Sequence, residues 1–465
     1  MSSKVYFMDD HAGSSSESTP FKAVKVLRDA GLETIFKKGD KVGIKVHFGE
    51  FGNSLNLRPH WVSAIVEEVK RLGGDPVVFD CNTAPLGFNA SRTIKSDHLR
   101  TAAVHGFTEE TMGCPVWICD GEYGEDEVEV EVPHGVYLKY TYMGKQILEF
   151  DSVVVVTHFK GHPMGVFGGS LKNVGIGMGS PKGKLATHFL LHPTLGLKSW
   201  TINQGAAKQA ASAPHPNLID NMIASCPQDA FEWKNDTFNF MAEKCKLCGH
   251  CMAFMLTGLF NLHPDLISSW APAIVDAAAG YINAFGKDKI IYLNYAFDIS
   301  PWCDCCAFHD RALIPNIGVF ASKDPVAVDM ASVEATEEVA ANPGSVADQF
   351  GFNEPNTERF TNCSSIAKKS QWAQLNAGVY NGIGTTEYVL VKSQPSPEGE
   401  FWFPPYTPEK PFPVVHKETF KKIDNTMGDF FYEAPNMSEE KLNIKPSGKI
   451  EEITIEEEEA EAGLA

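Results

Sequence analysis

The sequence predicts an α/β protein built on a mostly parallel sheet, with a cysteine-rich segment inserted into it. Three observations carry that expectation. Short β-branched runs alternate with helical patterns along the first part of the chain and again near its end. Several of these runs are apolar throughout, as strands covered on both faces are. Between the two α/β stretches lies a cysteine-rich stretch, CPQDAFEWKNDTFNFMAEKCKLCGHCMAFM (residues 226–255).

In chain order, KVYFM (4–8), KVGIKVHF (41–48), DPVVFDC (75–81), CPVWIC (114–119) and DSVVVVTHF (151–159) read as strands. PHWVSAIVEEVKRLGG reads as a helix that Pro59 opens and Gly73 closes. Residues 125–150 alternate with period two and predict an antiparallel hairpin. After the cysteine-rich stretch, residues 265–286 predict a helix and 288–300 a buried strand. Residues 316–340 then predict a strand–turn–helix, and 381–393 a last strand. The expected organisation is an N-terminal α/β part (1–195), a ferredoxin-like 4Fe–4S segment (196–260), a C-terminal α/β part (261–395), and an extended arm with an acidic tail (396–465). The Pro- and aromatic-rich arm is expected to wrap a surface, and the tail to be solvated.

Cys245, Cys248 and Cys251 form C-x2-C-x2-C, preceded by Cys226–Pro227. Three thiolates on one tight loop can grip three irons of a cubane, with the fourth ligand drawn from elsewhere, often a Cys followed by Pro. The economical reading is one 4Fe–4S cluster on Cys226, Cys245, Cys248 and Cys251. Met255 stands where a further cysteine would serve a second cluster. A tetrahedral zinc site is the alternative for such spacing.

Two further stretches concentrate chemistry. The glycine-rich loop 161–183 lies within THFKGHPMGVFGGSLKNVGIGMGSPKGKLATH (157–188), which carries His158, His162, His188, Lys172, Lys182 and Lys184. Its backbone and lysines suit an anion or phosphorylated cofactor, with Gly168, Gly169, Lys172, Asn173 and Lys184 as candidate contacts. The spacing matches no nucleotide fingerprint, and a tight turn packed on the sheet is the bland reading. DISPWCDCCAFHD (298–310) offers Cys303, Cys305, Cys306 and His309 as a possible second metal site, or as buried thiols. Lys172, His158 and Cys305 are the candidate catalytic residues. His47, Glu50, Asn56, Arg58, Asp80 and Asn82 fall at strand or helix ends, where α/β proteins place their sites. Cys81, Cys114, Cys119 and Cys363 read as core.

A formal charge of −19 disfavours nucleic acid or anionic membrane as partner and suits a basic redox protein. No apolar run reaches membrane-spanning length and no signal peptide is evident, so a cytoplasmic, reducing and anaerobic setting is expected. Eleven cysteines then read as ligands and thiols rather than disulfides. Oligomerisation is left open.

IKVHFGEFGN, FDCNTAP with SRTIKSDHL, the glycine-rich stretch, DISPWCDCCAFHD and GIGTTEYVLV together resemble domain of unknown function family 362, over residues 4 to about 392. The resemblance implies this fold and a ferredoxin-type 4Fe–4S cluster, and no settled reaction. More distantly, the loop at Gly168–Lys172 is similar to that of the lactate racemase family. There a loop lysine and histidines hold a nickel pincer cofactor, which implies Lys172, His158, His162 and His188 as equivalents. The leading reading is electron transfer or an oxidoreductase, in which the cluster serves a site of loop 161–183 and Cys303–Cys306 on a small-molecule substrate. The alternatives are a racemase- or isomerase-like metalloenzyme and a non-catalytic assembly factor of a redox complex.

Overall fold

A computed structural model of the chain describes residues 2–84, 91–188, 195–246, 251, 254, 257–364 and 369–397; for His188 only the backbone is described. All lie in the first of two units into which the chain divides, Met1–Phe401. Cys248, Met255, the His188 side chain, the arm beyond residue 397 and the acidic tail lie outside the described residues.

The central sheet contains β1 (Ser3–Asp9), β2 (Lys41–Lys45), β3 (Asp75–Asp80), β4 (Val116–Ile118), β5 (Ser152–His158), β6 (Ile290–Ala296), β7 (Gly318–Ser322) and β8 (Tyr388–Lys392). Their order is β8-β1-β7-β6-β5-β2-β3-β4. Only β7 runs against its neighbours; the rest point one way.

Both faces are covered, which explains the continuous apolar runs. Val153 and Val155 of β5 join one core with the helices Pro264–Phe285 and Pro325–Glu337. Val154 and Val156 face a second core with Thr19–Asp29 and Pro59–Arg71. The expected helix after Pro59 ends with Leu72 as its cap and Gly73 at φ +88°. The expected hairpin is the antiparallel pair Glu127–Glu131 and Tyr140–Gly144.

The cysteine-bearing segment runs from Trp200 to Leu262. Trp200–Ile202 pairs antiparallel with Phe260–Leu262 and ties the two ends of the segment together. Its own apolar cluster includes Trp200, Met222, Phe231, Phe238 and Phe260. Met164 and Trp270 enter it from the α/β body, and half-buried Cys226 and Cys251 pack on it.

The glycine-rich stretch supplies close approach rather than an open loop. Val166–Gly168 pairs with Lys160–His162, and the helices Ser170–Gly175 and Pro181–His188 follow. A Cβ at Gly175 would overlap the Ile274 carbonyl oxygen, and one at Gly169 the Asp329 carboxylate. Gly175→Ala should therefore cost about 1–3 kcal/mol of overpacking, measured as a lowered denaturant midpoint with the slope unchanged.

Candidate functional site at the switch point

The chain lays down β2, β3 and β4 outward in one direction, then returns to place β5 on the other side of β2. A crevice outside the carboxyl ends of β2 and β5 follows, the place where open α/β sheets bind ligands. The residues leaving β2, β3, β5 and β6 converge there.

Lys45, fully buried at the end of β2, pairs with Asp80 at the end of β3 (Nζ to Oδ1, 2.9 Å) and donates to Asn173 Oδ1 at 3.0 Å. Burial would raise the Asp80 carboxyl, but Lys45 and then His98 hold it well below the usual carboxylate range. His47 accepts the Gly49 N–H on Nδ1, which leaves Nε2 to carry the ring proton. Burial, helped by Arg92, pushes its pKa well down. Glu50 pairs with Arg92 Nε at 3.1 Å, both buried.

Asp304 ties the loop after β6 to the loop after β5. Its carboxylate takes His158 Nδ1 at 2.9 Å and Lys160 Nζ at 2.9 Å, and its carbonyl takes the Glu50 N–H at 2.8 Å. Burial would raise this carboxyl; His158 and Lys160 outweigh burial and hold it far below the usual range. His158 Nε2 meets the Phe297 carbonyl at 2.8 Å. Both ring nitrogens thus face acceptors inside the protein, so His158 positions Asp304 rather than reaching a ligand.

Lys172 comes from the helix after the glycine pair. Its Nζ lies 3.8 Å from Cys303 Sγ, and among the described residues no carboxylate is within ion-pairing distance of it. Burial, then the neighbouring Lys160 ammonium, bring its pKa down to about 7. Cys303 and Cys305 are joined as a disulfide, and the His162 ring lies with both sulfurs inside 4.8 Å. The Gly165 N–H donates to His162 Nδ1 at 2.7 Å. A narrow cavity of about 50 Å³ is lined by His47, Asp80, Arg92, Lys172, Lys184 and Cys305, among others.

The structure thus brings together Lys172, Asn173, Lys184 and Cys305, with Cys303 and Cys306 alongside. Gly168 and Gly169 play another part. The N–H groups of Ser170 and Leu171 beyond them are held by Asp329 (2.7 and 2.9 Å), a carboxyl that burial raises to about 7. An anion there would meet a side chain already in place. Lys182 is exposed, against Glu127 and the Tyr142 ring. His309 bonds Ser54 at 2.6 Å in an exposed position, and His162 stands beside the sulfurs instead. Contrary to the expectation of reduced thiols, Cys303 and Cys305 are bonded to each other. Cys81, Cys114 and Cys119 are buried.

Sequence reasoning missed Lys45, Arg92, Lys160 and Asp329. Lys45 did leave a signal: a charged residue inside an apolar strand is rarely buried unless paired.

With this geometry in place, comparison with known proteins gives a family. The model for "Domain of unknown function (DUF362)" matches residues 42–334, more than half of the chain, and the protein belongs to that family. Among solved structures, the lactate racemase apoprotein from Thermoanaerobacterium thermosaccharolyticum aligns with 12% identity, covering 73% of this chain and 59% of that one. The TM-score is 0.33, a likeness that supports neither a substrate nor an activity. No curated protein matches the sequence. No helix among the described residues is long and apolar enough to cross a membrane.

Lys172 carries a stability consequence whose sign is fixed. Its folded pKa of about 7 lies below the ordinary 10.5, so between these values the unfolded chain binds the extra proton and stability rises with pH. Lys172→Met should be more stable than wild type, by on the order of 3 kcal/mol below pH 7. The advantage should shrink towards pH 10.5, as read from urea midpoints across that range.

Proposed function

We propose that this protein is an iron–sulfur oxidoreductase whose reaction site is the switch-point cleft, with the Cys303–Cys305 pair and Lys172 at its centre. The observation that carries the reading is the Lys172 ammonium beside the Cys303 sulfur, 3.8 Å away in a buried crevice. Reduction of the pair takes two electrons and two protons and breaks one S–S bond, giving two thiols. An external one-electron carrier protein of basic surface is the reductant class that the −19 charge suits. Lys172 is placed to give a proton to Cys303 or to steady its thiolate. Cys305 lines the cavity, where it meets whatever the cleft holds.

The four cysteines in residues 226–251 are the donor type a cluster takes, which supports this reading. Cys226, Cys245 and Cys251 are half-buried, and Cys226 Sγ accepts the Ala230 N–H at 3.3 Å, the kind of bond that tunes cluster thiolates. With Cys248 they would hold one 4Fe–4S cluster, which supplies one-electron transfer when bound.

A second reading is a non-redox metalloenzyme with a soft metal on His162, Cys303 and Cys305. It is favoured by the three ligand atoms falling within 4.8 Å of one another.

Protein purified anaerobically should contain iron and acid-labile sulfide in a one-to-one ratio and give a paramagnetic signal on reduction. It should also gain two titratable thiols on reduction, and lose that gain in Cys303→Ser. Stoichiometric nickel or zinc with no labile sulfide and no gain in thiols would exclude the redox reading.

A further inference from the structure

We propose that the cavity between Arg92, Lys172 and Lys184 is a binding site for a compact oxyanion, either the carboxylate of a small organic acid or an inorganic oxyanion of similar size. This names the substrate class of the cleft and rests on the reading that the cleft is the reaction site.

Charge is the first argument. Three carboxylates near the cavity are committed, Asp80 to Lys45 at 2.9 Å, Glu50 to Arg92 at 3.1 Å and Asp304 to Lys160 at 2.9 Å, while buried Asp120, which accepts the Asn82 N–H at 3.0 Å, faces Lys184 and offsets part of its charge. Lys172 remains without such a partner among the described residues, and it is 6% exposed. Arg92 is 3% exposed and spends Nε on Glu50; among the described residues no bond of its two terminal nitrogens to protein is found. Lys184 donates to the carbonyls of Asn82 (2.8 Å) and Gly179 (2.5 Å), dipoles that leave its charge in place. A buried ammonium and a half-used guanidinium facing one space are costly unless an anion joins them.

Shape is the second argument. A cavity of about 50 Å³ holds roughly four water-sized spheres, the bulk of a carboxylate or a small oxyanion and far short of a nucleotide. The guanidinium edge and the Lys172 ammonium match oxygens of such a group, and the Lys184 charge lies on the same wall. Cys305 on the same wall places the sulfur pair beside the bound molecule.

The test uses the purified full chain, titrated calorimetrically with sodium formate, acetate, phosphate or sulfate against chloride at matched ionic strength. At least one anion should bind one to one and more tightly than chloride. Preference for formate or acetate assigns a carboxylate source, and preference for phosphate or sulfate an inorganic one. Lys172→Met should weaken binding about tenfold or more, and Arg92→Lys, which keeps a charge beside Glu50, should weaken it too. No anion binding better than chloride, or binding that survives Lys172→Met unchanged, overturns the proposal. Binding is read whatever the iron content or thiol state. A failed anion titration and a failed iron, sulfide and thiol count are therefore separate results.

Discussion

The carboxylate of Asp304, shared by the His158 ring and the Lys160 ammonium, holds three loops in one place while its own backbone carbonyl takes the Glu50 N–H. One loop leaves β2, one leaves β5, and the third carries Cys303, Cys305 and Cys306. Asn53 adds to the lock, donating through its side chain to the carbonyls of Cys306 and Phe308 at 3.3 Å. A buried ionic group of this kind is poor evidence for stability, because desolvation consumes most of the Coulombic gain. What it secures is position. Removing the carboxylate would strand the Lys160 ammonium and a His158 ring nitrogen in the interior, a loss of roughly 3–5 kcal/mol. The sulfur pair would lose its anchor in the same change.

Three buried acid–base pairs therefore surround one lysine that has none among the described residues. That arrangement produces a local positive potential inside a chain of net charge −19. The two fields act at different ranges. The acidic surface acts over about a Debye length, some 8–10 Å at physiological salt, and attracts basic macromolecules. The interior cations act where solvent is excluded and screening is weak, so they dominate for anything that has entered. An acidic exterior and an anion-seeking interior are thus compatible with a basic protein partner and a small acidic ligand on one molecule.

Much of the architecture was legible because it depends on short-range pattern. The apolar runs at 75–81 and 151–159 have one reading as buried strands, and Pro59 with Gly73 marks a helix locally. The site was legible only in part, since its logic is tertiary. Gly168 and Gly169 look the same in sequence whether a backbone must approach a phosphate or the Asp329 carboxylate, and Asp329 lies far along the chain. His309 follows the cysteines in sequence, yet the returning hairpin brings His162 beside the sulfurs. Arg92 sits in a stretch with no periodic signal, and only the Glu50 contact reveals its place. Lys172 and Lys184, which line one cavity with Cys305, stood out because unusual residue types crowd into two short segments, 157–188 and 298–310. That crowding is the one kind of site signal a single sequence carries well.

The proposed metal reading of the Cys303–Cys305 pair depends on one proton of His162. The Gly165 N–H donates to Nδ1, so that nitrogen offers its lone pair to the backbone and the ring proton belongs on Nε2. A ring in that tautomer has no lone pair left for a metal; ligation through Nε2 would need the proton moved to Nδ1, against the Gly165 donor. Metal-binding histidines are usually held the opposite way, with the remote nitrogen donating to a carbonyl or carboxylate. In that tautomer His162 is a donor at Nε2. Lys172 on Cys303 acts in the same sense. On the proposed redox reading, the Lys172 ammonium beside Cys303 suits electron-pair chemistry at sulfur.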